Sequence, residues 1–155
     1  MLVTGFEAYC KKRFIELENE GKMVNIDKLF STCNIDNEEA ETIRTEARAE
    51  GITPLKKLIK KGKINFQSYE RCKKAYNKGY NIVFGNTLNV SNILLEQIKT
   101  NIIYRHKIVH ISPLNHIVDH NTVPPVFANK DYARRAISAF ETFIDSLNKA
   151  TLKLP

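Results

Sequence analysis

NVSNILLEQIKTNIIYRHKIVHIS, residues 89–112, is a long helical run near the end of the chain, and its reading decides the fold. Advancing about 100° per residue from Val90, the side chains Val90, Ile93, Leu94, Leu95, Ile98, Ile102, Tyr104, Ile108, Val109 and Ile111 fall on one broad arc. That is the period of a helix packed along one face. Arg105 projects from the middle of the arc, where an ordinary core helix places an aliphatic residue. A guanidinium keeps its proton in a protein, so burying it away from any anion is costly. The position therefore demands either a carboxylate partner, for instance Glu7 of the first helical segment, or an open anion-binding cleft. Pro113 forbids regular helix much beyond Ser112.

The segments on either side read as helices too. Val3, Phe6, Cys10, Phe14 and Leu17 recur every three or four residues, which predicts a helix over 2–20 with Lys11, Lys12 and Arg13 toward its outer side. Residues 25–32 form a short helix. Asp36 or Asn37 then caps a polar helix whose Glu38, Glu39 and Glu41 suit the positive end of its dipole, and Gly51 closes it. Thr53-Pro54 is an N-cap with proline at the first helical position, opening a basic helix that stops at Gly62. Over 65–83 the stripe Phe66, Tyr69, Cys72, Ala75 or Tyr76, and Tyr80 has helical period, and its tyrosines are assigned to the core. Gly85-Asn86 is a turn. Beyond the run of 89–112 comes a loop over 113–128 containing Pro124-Pro125, long enough to imply a job of its own. A closing helix over 129–152 carries the stripe Ala133, Ile137, Phe140, Ile144 and Leu147. With no period-2 strand, the expected fold is a single all-α domain over 1–155, an up-and-down helical bundle of four main helices plus short ones.

At 155 residues and 43% hydrophobic content, the chain supports one real core. It has no apolar run of membrane-spanning length and no signal-peptide pattern, so a soluble cytoplasmic protein is expected. Cys10, Cys33 and Cys72 lack close pairing and read as reduced thiols. The net charge of +7 is concentrated between residues 51 and 80, where Lys56, Lys57, Lys60, Lys61, Lys63, Arg71, Lys73, Lys74 and Lys78 face Glu70 alone. Residues 36–50, just before, are acidic. A basic block beside an acidic one could attract a polyanion such as RNA through Lys56, Lys57, Lys60, Lys61 and Lys63, with Lys107 beside Arg105. On charge alone, these lysines read as the solvated faces of two helices.

All four histidines, His106, His110, His116 and His120, lie within fifteen residues of one another. Each pair is four apart, a spacing that can hold zinc on a helix, but Pro113 separates the pairs and neither encloses a glutamate. No metal or cofactor is expected. Histidine exchanges a proton near neutral pH, and arginine binds phosphate through its planar fork and stabilises a pentacoordinate transition state. Together they suffice for cleavage of RNA by its own 2′-hydroxyl, leaving a 2′,3′-cyclic phosphate. Arg105 and His110 stand roughly 140° apart on an ideal helix, so a local bulge, long side chains or a second copy must bring them together.

Ile102-Ile103-Tyr104-Arg105-His106-Lys107-Ile108-Val109-His110 resembles the motif of the HEPN superfamily (higher eukaryotes and prokaryotes nucleotide-binding), an Arg followed after four to six residues by His on a late helix. The helix order is also similar to that of these all-α domains. The resemblance implies a metal-independent endoribonuclease of toxin or phage-defence type, acting on RNA as a homodimer with a shared cleft, alongside an antitoxin or defence-system partner. Arg105 would contact the scissile phosphate, His110 would be the acid or base and His106 would assist. The group modified by nucleotidyltransferase antitoxins has tyrosine two residues after the histidine, where this chain has Ser112. Other members are non-catalytic RNA-binding or protein-assembly modules, which is the alternative expectation.

Overall fold

The computed structural model describes residues 2–110 and 130–155. Its described residues form eight helices and no strand: α1 (Leu2–Asn19), α2 (Ile26–Thr32), α3 (Asn37–Ala49), α4 (Pro54–Lys60), α5 (Tyr69–Tyr80), α6 (Phe84–Thr87), α7 (Asn92–His110) and α8 (Lys130–Leu152). The fold is all-α. The expected loop over 113–128, with His116 and His120, lies outside the described residues.

Local chemistry sets the boundaries. Asn25, Asp36 and Thr53 each accept a backbone N–H with their side chains at the starts of α2, α3 and α4. Gly51 and Gly62 follow α3 and α4 with positive φ, where a Cβ would be strained. The expected helix over 65–83 is shorter at both ends. The Asn65 side chain accepts the Gln67 N–H at 2.7 Å, making a turn before the extended Ser68, and Asn81 ends α5 in the left-handed region. The Gly85-Asn86 turn is the middle of α6. Ser91, whose hydroxyl accepts the Leu94 N–H at 3.2 Å, starts α7 after the left-handed Asn89.

Aromatic rings organise the core around α1. Phe14 meets Phe66, Tyr76 and Tyr80 edge-on, while Phe6 meets Phe140 and Phe143 of α8. Phe84 joins the two halves through Tyr76 and Phe143. The Tyr76 and Tyr80 hydroxyls donate to the Cys10 and Phe14 carbonyls at 2.7 and 3.0 Å, so the expectation of core tyrosines holds. Burial pushes Tyr69 up to about 12 and raises Tyr76 and Tyr80 as well, which keeps all three hydroxyls neutral. α1 lies against both α7 and α8, α2 against α5, and α3 against α4. α3, with 13 residues, is comparable in length to α5, so a count of four main helices understates the long ones.

The buried face of α1 is wider than expected, and that of α8 is shifted. Arg13 is not on the outer side of α1: its side chain is 7% exposed, its Nε donates to Thr151 Oγ1 at 3.0 Å, and its two terminal nitrogens grip Glu20 at 2.5 and 3.1 Å. Its charge remains buried because this bidentate pair and the Thr151 hydroxyl replace water. On α8 the buried positions are Ala139, Phe140, Phe143, Leu147 and Ala150, whereas Ala133 and Ile137 are exposed. The two phenylalanines seated on Phe6 fix that shift.

Candidate functional site

α7 buries Leu95, Ile98 and Ile102, spaced three and then four apart, and Arg105 is the next residue of that stripe. Ile93, by contrast, is 73% exposed, so among the residues whose burial is described the arc is narrower than expected. A narrow stripe follows from α7 packing on only part of its girth, against α1, α5, α6 and α8. Arg105 is 27% exposed and places its Nη1 3.7 Å from Oε1 of Glu7, whose side chain is 9% exposed. The carboxylate that the sequence demanded is therefore supplied by α1.

The two interior arginines differ in how fully they are used. Arg13 makes three hydrogen bonds and is sealed. Arg105 makes an ion contact longer than a hydrogen bond and remains partly open to solvent. Chemically, such a group is held in place by Glu7 while its planar fork can still receive a second anion. The backbone of α7 continues through His110, so His106, Lys107 and His110 occupy its last two turns. Their side chains lie outside the described residues, so the relation of His110 and His106 to Arg105 stands on helix register alone.

Toward the start of α7, Asn101 is one turn before Arg105. Its Oδ1 accepts from the Tyr132 hydroxyl at 3.1 Å, and its Nδ2 donates to the Gln97 carbonyl at 2.8 Å. With Arg135, these side chains line a small cleft of about 190 Å³ between α7 and α8. The polar line Gln97, Asn101, Arg105 is therefore adjacent to an additional cation. Sequence periodicity alone did not reveal it, because Tyr132 and Arg135 become neighbours of α7 only through the packing of α8.

The α4 part of the basic block is not an open lysine surface. Lys57 is buried between Glu46, at 3.0 Å, and Glu50; Lys60 and Lys61 reach Glu50 and Glu46 at 2.9 and 2.8 Å; and Lys63 reaches Glu39 at 2.6 Å. The acidic and basic segments are the two halves of one α3–α4 hairpin, and they neutralise each other across it. Of the five lysines singled out in this block, Lys56 alone has no ion-pair partner among the described residues. Hydrogen bonds from Lys57 and Lys60 hold the Glu50 carboxyl down at about 2, and hydrogen bonds from Glu50 and Glu46 hold Lys57 above its usual range.

Among the described residues no three His, Cys, Asp or Glu side chains converge as a metal site, and no helix is long and apolar enough to cross a membrane. The chain matches no protein-family model, no curated protein and no solved structure. What the protein does must accordingly be argued from its own residues.

Proposed function

We propose that the chain is a HEPN-like, metal-independent endoribonuclease in which Arg105 binds the scissile phosphate, His110 acts as general acid or base and His106 assists. The observation that supports this most is the state of Arg105. It is oriented by Glu7 from α1, yet its side chain stays 27% exposed, one residue before His106 and five before His110. In the reaction, the ribose 2′-oxygen would attack the adjacent phosphorus while a histidine takes its proton. The P–O5′ bond breaks, the leaving oxygen is protonated, and a 2′,3′-cyclic phosphate and a 5′-hydroxyl remain.

A homodimer with a composite cleft completes the proposal. Ile103 on α7 and Ile137 on α8 are each 45% exposed and offer apolar surface that a second copy would cover. Such a protein would work in the cytoplasm with an antitoxin or defence-system partner.

A second reading is a non-catalytic HEPN-like module that binds RNA or assembles with protein, and the pairing of the α4 lysines with α3 moves any RNA surface of such a module off α4. One experiment separates them. Single-stranded RNA is incubated in excess chelator with wild type, Arg105→Lys and His110→Ala, and the product ends are read. Catalysis predicts cyclic phosphate ends from wild type and none from His110→Ala. Arg105→Lys, which keeps the charge beside Glu7 but lacks the fork, would fold and cleave at least about a hundredfold more slowly. Salt-sensitive RNA binding without cleavage by wild type supports the module, and equal cleavage by all three proteins refutes the assigned site.

A further inference from the structure

A second basic site lies on the α2–α5 face, and it stands independently of the reading of Arg105. Cys33 is the C-cap of α2, and the left-handed Asn34 turns the chain toward α3. The segment joining α4 to α5 passes close by, where the Cys33 thiol donates to the Lys63 carbonyl at 3.5 Å. Between them is a cleft of about 300 Å³ lined by Lys63, Arg71, Lys74, Asn34 and Asn65, with Cys33 in its wall. No carboxylate lines it.

The electrostatics are uncompensated. Lys63 pairs with Glu39, but Arg71 and Lys74, three apart on one side of α5, have no ion-pair partner among the described residues. Both are exposed, so packing does not explain them. The amide oxygen of Asn65 is engaged by the Gln67 N–H, which leaves its NH₂ as the group available to a ligand. Burial raises the Cys33 thiol, while Lys63, Lys74 and Arg71 pull it down, so all three cations are felt at one point in the cleft.

From this convergence we infer that the cleft binds a phosphate monoester, with Arg71 as the forked ligand, Lys74 as the point charge and Asn65 as a neutral donor. Two uncompensated positive charges match a dianionic terminal phosphate better than a carboxylate or a phosphodiester, each of which carries one negative charge. The phosphate could belong to a mononucleotide or to the end of a nucleic acid.

Cys33 is a built-in reporter, because Cys10 and Cys72 are fully buried. The test follows its alkylation by neutral iodoacetamide at constant ionic strength, with inorganic phosphate, AMP, or a single-stranded RNA carrying either a 5′-phosphate or a 5′-hydroxyl. Alkylation of the wild type should slow about tenfold at about 10 mM phosphate or AMP for a site with a Kd of about 1 mM. Protection should vanish in Arg71→Ala/Lys74→Ala and persist in Lys11→Ala/Lys78→Ala, which removes equal charge elsewhere. Protection by the 5′-phosphorylated RNA, but by neither phosphate nor AMP, would assign the ligand to a nucleic-acid end. The anionic reagent iodoacetate should also gain on iodoacetamide at Cys33 relative to free cysteine, and lose that gain in Arg71→Ala/Lys74→Ala. No protection by any phosphate, protection equal to that by potassium chloride, or protection unchanged in Arg71→Ala/Lys74→Ala would overturn the assignment.

Discussion

Arg105→Ala should destabilise the fold through Glu7, and the size of that effect can be worked out. At 3.7 Å, the observed Nη1–Oε1 distance, two unit charges attract by about 4.5 kcal/mol at an effective dielectric of about 20, and by about 1 kcal/mol in bulk water. Arg105 is 27% exposed and Glu7 only 9%, so the pair lies between those limits, and the expected loss is about 2 kcal/mol. For a chain of this size that lowers Tm by about 4–8 °C. Truncating the arginine takes one compensating charge away from Glu7 in a nearly closed site. Neutralising both partners removes that penalty, so Glu7→Gln/Arg105→Ala should recover half or more of the lost stability. Thermal melts followed by circular dichroism on the four proteins of this cycle give the coupling directly. A coupling below about 0.5 kcal/mol, or an unchanged melting temperature in Arg105→Ala, would refute the structural role assigned to the pair. The cycle also protects the functional argument: an activity absent from Arg105→Ala and still absent from the restabilised double variant cannot be blamed on unfolding.

Glu50 gives the acid limb of the stability curve. Its folded value of about 2 lies below the ordinary 4.5, so its contribution is present above the unfolded value and disappears as pH falls toward 2. Glu50→Gln should therefore lower Tm near pH 6 and leave it nearly unchanged near pH 2; an equal loss at both would exclude the ion-pair explanation. Arg13→Ala should lower Tm more than Thr151→Val, which should cost about 1 kcal/mol, because it removes the contacts to both Glu20 and Thr151. Hydrogen exchange should show both opening the last turn of α8 first, and protection there equal to wild type would contradict the latch. Gly79→Ala brings a Cβ to 2.9 Å from the Phe14 ring, so overpacking should outweigh the better helix propensity and cost about 1 kcal/mol net; a rise in Tm would show that Phe14 can give way.

Helix existence was legible because caps and periods are local signals. Asp36, Thr53-Pro54 and the glycines 51 and 62 all act where the sequence places them. Boundaries and faces were less legible, because they depend on what a helix meets. Phe66 has the right spacing to belong to α5, but the Asn65 turn removes it from the helix and sends its ring onto Phe14. Ile93 and Ile137 fit their stripes and are nonetheless exposed, since the described neighbours of α7 and α8 do not reach them. A cheaper error concerns Arg13. The series Val3, Phe6, Cys10, Arg13, Leu17 alternates three and four, so the arginine was inside the buried stripe from the start, and a polar residue type obscured its position.

The same logic separates the two charge features of the chain. Arg105 was legible as a demand for an anion because a lone cation in an apolar period has no local partner, and Glu7 answers it from a distant point in the sequence. The lysine block could not be read that way. Its partners are the glutamates immediately before it, and only the α3–α4 hairpin turns a contrast along the chain into contacts across space. Once those lysines are paired, the uncompensated charge moves to α5, whose Arg71 and Lys74 face no carboxylate in their cleft. A polyanion drawn to this protein should therefore respond more to reversing Arg71 and Lys74 than to reversing Lys60 and Lys61. Reversing the latter pair exchanges attraction for repulsion against Glu46 and Glu50 and weakens the hairpin itself.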